Sequence, residues 1–347
     1  MAELTVAAGV ARGLLDLAVS RGANRDVLAQ RAAIDVGVLE DQDNRVPFAS
    51  YVALMRAGKE LCGDPALALH YAEEIDLSEV SIVGLLGHAS ATMIDAFAQL
   101  NRYGQLVVEV EVEGVAVADR FQLLPSNGEL WLVDTRQRPN RCPELTESTF
   151  ARMVCGTRRF GDTPFVKAVH VTHADPGYRA EYERIFRAPV VFDSDRNAML
   201  IDAAWLSHRI ALSPRYVFGI LSEHAQALLK NLENSKSTRG RVESLLMPVL
   251  HTGTAGMDTV AGQMGLSRQT LFRKLKAEGT TFEKVLDELR HALAQHYLGG
   301  KKVSVNETAY LVGFSDPAAF SRAFKRWTGF SPRDARQALN AAAGGET

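Results

Sequence analysis

Apolar positions recur with a helical period through most of the first hundred residues. Helices are predicted over about 5–21, 24–32, 47–62, 64–74 and 92–103, the first with Val6, Val10, Leu14 and Leu17 on one face. The period then shortens. LVVEVEVEGVAVADRFQLL (106–124) and GELWLVDT (128–135) alternate and predict strands. Glu144 to Phe160 returns to a helical pattern, and Val166 to Asp202 reads strand, helix, strand, strand. In that helix Tyr178, Tyr182, Ile185 and Phe186 form the inner stripe, with Asp175 and Pro176 as its expected start. Together these elements predict an α+β domain with a small, largely antiparallel sheet. A further helix is predicted over 213–234, with Val217, Ile220, Leu221, Ala225, Leu228 and Leu232 as its stripe, and SKSTRG (235–240) reads as a polar linker.

Beyond residue 241 the pattern is helical and repeats itself. In GFSDPAAFSRAFKRWTGFSP (313–332), Ser315 or Asp316 caps a helix in which Phe320, Phe324 and Trp327 make the apolar stripe. Ala318, Ser321, Arg322 and Lys325 share another face, Gly329 ends the helix, and Pro332 follows as a stop. Upstream, DTVAGQMGLSRQTLFRKLKAEG (258–279) has the same plan. Asp258 is the expected cap of a short helix, Gly265 makes the turn, and Ser267 caps a second helix with Leu271 and Leu275 inward. Gln269, Phe272, Arg273 and Lys276 then face outward. Leu271, Arg273, Leu275 and Lys276 match Phe320, Arg322, Phe324 and Lys325 at an offset of 49, while Gly265 matches Gly313 at 48. A helix, a glycine turn and a helix with a basic outer face form the helix-turn-helix arrangement, whose second helix can enter a DNA major groove. A solvated helical bundle explains one copy as well, but two copies on the basic side of the chain favour DNA. Between them, 281–298 reads as a long helix with Leu286, Leu289, Leu293 and Tyr297 on one side, ended by Gly299-Gly300. Such a rod suits two readers in successive major grooves about 10 bp apart.

Residues 241–338 resemble the AraC/XylS family of bacterial transcription regulators. The resemblance is carried by Ala261, Gly265, Ser267, Leu271, Arg273 and Leu275 in the first copy, and by Leu286, Arg290, Ala294 and Leu298 between the copies. In the second copy it is carried by Ala309, Gly313-Phe314-Ser315, Phe320-Ser321-Arg322, Phe324, Gly329, Pro332 and Arg336. Thr308 and His291 depart from the family's usual aliphatic residues, and Thr308 is expected to loosen the second core. The resemblance implies base contacts from the outer faces of both recognition helices. The residues expected at DNA are Ser267, Arg268, Gln269, Phe272, Arg273 and Lys276, then Ser315, Pro317, Ala318, Ser321, Arg322 and Lys325. Residues 15–210, through YVALMRAGKELCGDPALALHYAEEI and VHVTHADPGYRAEYERIFRAPVVFDSDRNAMLID, resemble the N-terminal domain of the ornithine-utilisation and VirS-like branch of the same regulators. That likeness implies a sensor for a small-molecule effector whose identity it does not specify.

The 347 residues are thus read as an α+β ligand-sensing and dimerisation domain (1–235, with the helix and linker at 213–240), an all-α DNA-binding domain with two helix-turn-helix motifs joined by a long helix (241–338), and a flexible tail (339–347). Charge agrees. From Arg241 onward there are 14 Lys and Arg against 10 Asp and Glu, whereas the preceding 240 residues hold 25 against 31. Cys62, Cys142 and Cys155 are odd in number and lack CxxC spacing, which argues against a disulfide framework or zinc site and fits a cytoplasmic protein. No stretch is long and apolar enough for a membrane span, so no membrane partner is expected. Nucleophile elbows, phosphate loops and H-E-x-x-H are absent, and His170 and His173 fall on opposite faces of a strand. Cys155 beside His88 or His173 is the one reactive pairing conceivable, with a buried structural thiol preferred, and Tyr178 and Tyr182 are candidates for a pocket or plain core residues. No enzyme, cofactor or metal is expected. The expected function is a sequence-specific, ligand-responsive transcription regulator, an activator by expectation, acting as a homodimer on a double-stranded DNA operator with RNA polymerase as a further partner. The alternative is an architectural nucleic-acid-binding protein whose N-terminal part only oligomerises.

Overall fold

The computed structural model describes residues 3–112, 119–126, 128–161, 163–210, 215–253, 256–299 and 303–336. The chain divides into two compact units, Met1–Leu229 and Lys230–Thr347.

In the first unit, strand β1 (Thr5–Ala7) pairs antiparallel with β2 (Arg45–Pro47), and helix α1 (Ala8–Ser20) begins only after it. The expected helix from residue 5 is corrected there, because pairing with a partner some forty residues away buries Val6 completely. Helices α2 (Arg25–Ala32) and α3 (Phe48–Cys62) pack beside α1, and α4 (Leu67–Glu74) follows. Asp64 accepts from the Ala66 N–H at 3.1 Å, so 64–66 is a turn rather than helix. Two helices, α5 (Leu77–Val80) and α6 (Ile82–Ala89), fall where no element was expected. Their signal is diluted by Gly84 and Gly87. Gly84 lets the two cross, since a Cβ there would sit 2.2 Å from the Leu77–Ser78 backbone. Helix α7 (Met93–Val107) starts on a reciprocal Thr92–Asp95 capping box.

The expected strand over 106–124 is corrected over most of its described length. Helix α7 runs on to Val107, Val108 and Val112 make only isolated bridges, and the strand proper, β3, is Phe121–Ser126. Residues 113–118 of that stretch lie outside the described residues. With β4 (Glu129–Asp134), β5 (Val166–His170), β6 (Val190–Val191) and β7 (Ala198–Ile201), β3 builds a five-stranded sheet of order β3-β4-β7-β5-β6. Only the β5–β6 pair is parallel, bridged by a helical crossover. Helix α8 (Pro143–Thr157) and the crossover helix α9 (Arg179–Phe186) pack around Phe150, Phe186 and Met199. Helix α9 begins at Arg179, later than expected. Asp175 accepts from the Gly177 N–H at 2.9 Å and pairs with Arg179 at 2.8 Å, closing a turn before the helix instead of capping it.

Helix α10 (Arg215–Lys236) contains the division between the units. The expected linker 235–240 is largely helical: α10 runs to Lys236, and Ser237 caps α11 (Thr238–Leu246) by accepting from the Gly240 N–H at 2.9 Å. Glu278 accepts from the N–H groups of Thr238 and Arg239 at 2.7 and 2.9 Å, completing the cap from forty residues downstream. The second unit then holds α12 (Met257–Gln263), α13 (Arg268–Ala277), α14 (Phe282–Gly299), α15 (Val305–Leu311) and α16 (Pro317–Thr328). Residues 332–336 are again helical, so Pro332 opens a turn of helix where a stop was expected, with Ser331 and Asp334 bonded at its start. Residues 337–347, including the expected tail, lie outside the described residues. The second unit has two small cores, one around Val242, Leu271 and Leu275, the other around Ala309, Phe320 and Phe324, and Leu293 of α14 packs against both. An 18-residue α14 spans about 27 Å at 1.5 Å per residue.

Candidate functional site

The two helix-turn-helix units repeat at the level of individual hydrogen bonds. In the first, Gly265 adopts φ +66° and the Leu266 N–H donates to the Ala261 carbonyl at 2.9 Å. In the second, Gly313 adopts φ +82° and the Phe314 N–H donates to the Ala309 carbonyl, also at 2.9 Å. Left-handed backbone at both turns is the reason for glycine. The first helix of the first unit is capped by Gly256, which corrects the role of Asp258. Asp258 instead pairs with Arg268 at 2.7 Å, an exposed contact worth at most about 1 kcal/mol that leaves the guanidinium free to exchange to a phosphate.

Leu271 and Leu275 turn α13 inward, which leaves Ser267, Arg268, Gln269, Phe272, Arg273 and Lys276 exposed together. Phe272 is 48% exposed, an apolar ring amid cations. Phe320 and Phe324 turn α16 inward in the same way, exposing Ser315, Ala318, Arg322 and Lys325, with Pro317 and Ser321 half-buried. The units differ at their caps. Ser267 is neutral and accepts from Thr270, whereas Asp316 accepts from both Ala318 and Ala319 N–H groups at 3.0 Å. A carboxylate already occupies the N-terminus of α16, and the Ser321 hydroxyl donates to the Pro317 carbonyl at 2.9 Å. The first recognition helix therefore presents the freer donors to a nucleic acid.

Arg290 and Thr308 show what the sequence signals meant. Arg290 of α14 donates to the Gly313 carbonyl at 3.2 Å and lies 4.7 Å over the Phe314 ring, clamping the second turn. Burial lowers its affinity for the proton, opposed by Asp287. Thr308 is fully buried, and its hydroxyl donates to the Ser304 carbonyl at 2.9 Å, so its polar atom is satisfied at the start of its own helix. His291 meets Phe324 edge-on at 5.9 Å and Trp327 at a tilt at 5.7 Å, beside the second core.

The first unit contains a cavity of about 340 Å³ between α6, α7 and α8, with Phe121 of β3 in its wall. Met93, Phe97, Leu100, Met153, Phe160 and Phe165 supply its apolar surface, while Arg120 and Arg152 are its cations closest to the fold's interior. Sequence reasoning missed it, since its walls come from three separated helices. Cys155 and His88 both line it, whereas His173 lies elsewhere. Burial pushes the Cys155 thiol up, away from the reactive thiolate.

Tyr178 and Tyr182 are not in the cavity wall. Both hydroxyls donate to Oε1 of buried Glu147, at 2.7 and 2.6 Å, and His173 Nε2 lies 3.2 Å from the Tyr182 hydroxyl. His170 instead packs against Trp131 at 4.9 Å, so the two histidines point apart. Among the described residues no group of three or more His, Cys, Asp or Glu could hold a metal. Burial pushes the Glu147 carboxyl above the usual glutamate range, opposed by its tyrosine partners. A raised folded-state value stabilises fully below the unfolded glutamate range and is lost as pH rises through the folded value. Glu147→Gln keeps the acceptor for both tyrosines and removes that loss. Urea midpoints of the wild type should decline from acid to neutral pH relative to the variant; parallel curves would contradict the buried-carboxylate account.

Comparison with known proteins assigns both units. Residues 22–210 match the arabinose-binding domain of AraC transcription regulators (N-terminal), and residues 260–338 match a helix-turn-helix domain. The chain is 27% identical over 338 residues to the ornithine utilization regulator of Pseudomonas aeruginosa, covering 97% of each. It is 24% identical over 337 residues to the transcriptional regulator VirS of Mycobacterium tuberculosis, covering 93% of this chain and 94% of that one. Over 115 residues it is 42% identical to the transcriptional activator RhaS of Escherichia coli, covering 32% of this chain and 40% of that one.

Proposed function

From the premise that this chain belongs to the AraC family of transcription regulators, we propose that it reads an operator mainly through α13 and is controlled by a small molecule held in the cavity between α6, α7 and α8. The chain is a DNA-binding regulator with a ligand-binding N-terminal domain, and its relatives are regulators rather than enzymes. Among the described residues no helix is long and apolar enough to cross a membrane.

The observation that carries the reading is the shared exposure of Gln269, Arg273 and Lys276 beside a neutral cap. Gln and Arg on one face suit bidentate readout of adenine and guanine, each worth about 1–3 kcal/mol of discrimination. Arg268, Ser267 and Phe272 lie on the same exposed surface, and the apolar ring suits a thymine methyl. On α16, Ala318 and Ser321 offer little readout, so Arg322 and Lys325, with Ser315 and Pro317 near the helix start, serve mainly to seat phosphates. We further propose a cytoplasmic homodimer that activates transcription through RNA polymerase, a sign supported by the likeness of its DNA-binding unit to an activator.

The test begins by selecting an operator from random duplexes. Arg273→Ala should weaken that site by about ten- to a hundredfold while changing a scrambled duplex little. Lys325→Ala should weaken both alike and lower the slope of log affinity against log salt by about one unit. An equal loss on both duplexes for Arg273→Ala makes it a phosphate contact and removes α13 as the reader.

A further inference from the structure

Four helix glycines line the N-terminal cavity: Gly84 in α6, and Gly87, Gly104 and Gly156, each in the last turn of α6, α7 and α8 respectively. A Cβ built on Gly87, Gly104 or Gly156 would meet no atom within 4 Å beyond its chain neighbours and its own helix backbone. Glycine weakens a helix relative to alanine, and at Gly84 of the same wall it is required by close packing on the Leu77–Ser78 backbone. At the other three positions its effect is to leave room in one space.

Most charged groups in the same wall, and Asn101, already have partners. Asn101 donates to and accepts from the Phe121 backbone at 2.8 and 3.0 Å. Arg120 forks onto Asp134 at 3.0 and 2.9 Å. Asp76 holds Ser78 at 2.7 and 2.6 Å and Arg159 at 2.6 Å, with His88 at 3.6 Å, and Glu73 takes two N–H groups of Arg184 at 2.8 and 2.7 Å. Arg152 is different. It donates one N–H to the Ile75 carbonyl at 2.7 Å, lies 4.8 Å from the Tyr71 ring centre and bonds the Tyr71 side chain, but pairs with no carboxylate among the described residues. A guanidinium has five N–H donors, so these contacts leave donors over for an anion.

We propose that this cavity takes a compact apolar monocarboxylate, with the carboxylate on Arg152 and the hydrocarbon body against Phe97, Leu100 and Met153 where the three glycines leave space. This rests on the sensor reading above and narrows it to a ligand class. A polyol carries hydroxyls around its whole periphery, and against this wall most would be buried unpaired. An amine would meet an unpaired cation and no unengaged carboxylate. A carboxylate matches the planar guanidinium, and a volume of about 340 Å³ is at the small end of ligand pockets.

The test is calorimetric titration of the full chain with decanoate, cinnamate, decanol, decylamine and L-arabinose. At least one of the two carboxylates should bind, with decylamine and L-arabinose silent. Arg152→Met should weaken the bound carboxylate by about ten- to a hundredfold and leave decanol unchanged, with Arg152→Lys recovering part of the loss. Because Arg152 also holds Ile75, Gly104→Ala and Gly156→Ala provide a second arm. Each should keep or raise the thermal midpoint of the unliganded protein, as helix propensity requires, while weakening the carboxylate. Binding of L-arabinose or decylamine instead, silence of both carboxylates, or full carboxylate affinity in Arg152→Met or in both glycine variants would overturn the proposal. Operator affinity is measured with the same ligand. A carboxylate that binds in this way without altering operator binding or transcription upholds the ligand class and overturns only the sensor role.

Discussion

Gly313→Ala is expected to destabilise the second helix-turn-helix unit by about 3 kcal/mol or more and to strip the protein of most of its operator affinity. Two effects add. At φ +82° any L side chain carries left-handed strain of roughly 1–2 kcal/mol. A Cβ there would also lie 2.1 Å from the Leu250 carbonyl oxygen, a backbone atom that can move only if the turn at Met247–Thr252 moves with it. Arg290 of α14 donates to the Gly313 carbonyl itself, so a shift of Gly313 away from Leu250 disturbs that contact as well. The equivalent glycine in the first unit supplies the control. Gly265 has φ +66° and open space where its Cβ would go, so Gly265→Ala should cost only the strain, about 1–2 kcal/mol. Denaturant unfolding of the two variants, with operator affinity measured alongside, separates these cases. Equal losses at both glycines would mean that Leu250 yields freely and that the second turn is no tighter than the first.

Severing the units should have the other large effect. The second unit carries only a small basic excess, so a lone copy should hold DNA weakly. If residues 1–229 bring two copies together, the second engagement becomes intramolecular, and full-length affinity should exceed that of residues 230–347 by about 10²–10⁴-fold. The fragment must begin before Ser237, because starting at Arg241 removes the cap and first turn of α11 that Glu278 completes. A ligand alters this gain only by binding two arrangements of the dimer with different affinity. Equal affinity of fragment and whole, with a concentration-independent monomer by ultracentrifugation, would rule out dimerisation as the source of operator affinity.

The repeated DNA-binding device was legible from residues alone because everything that defines it is local. Ser267 and Asp316 cap helices within three residues, Gly265 and Gly313 turn the chain within five, and Leu271, Leu275, Phe320 and Phe324 follow a single helical period. The five-stranded sheet and its helices were likewise foreshadowed by alternation and period, although β3 began later than the alternating run suggested. Tertiary structure decided the rest. Thr5–Ala7 has a helix-like sequence, yet it extends because Arg45–Pro47 offers it a ladder. Glu147 acquires its two tyrosines from 31 and 35 residues away, and Glu278 caps a helix 40 residues behind it. Gly87, Gly104 and Gly156 are separated by 17 and 52 residues, and only the packing of α6, α7 and α8 brings them to one open space. Caps, turns and periods are written within a few residues because backbone hydrogen bonds and strain act at that range. Cavities and long-range caps depend on which distant surfaces meet, and no local pattern carries that information.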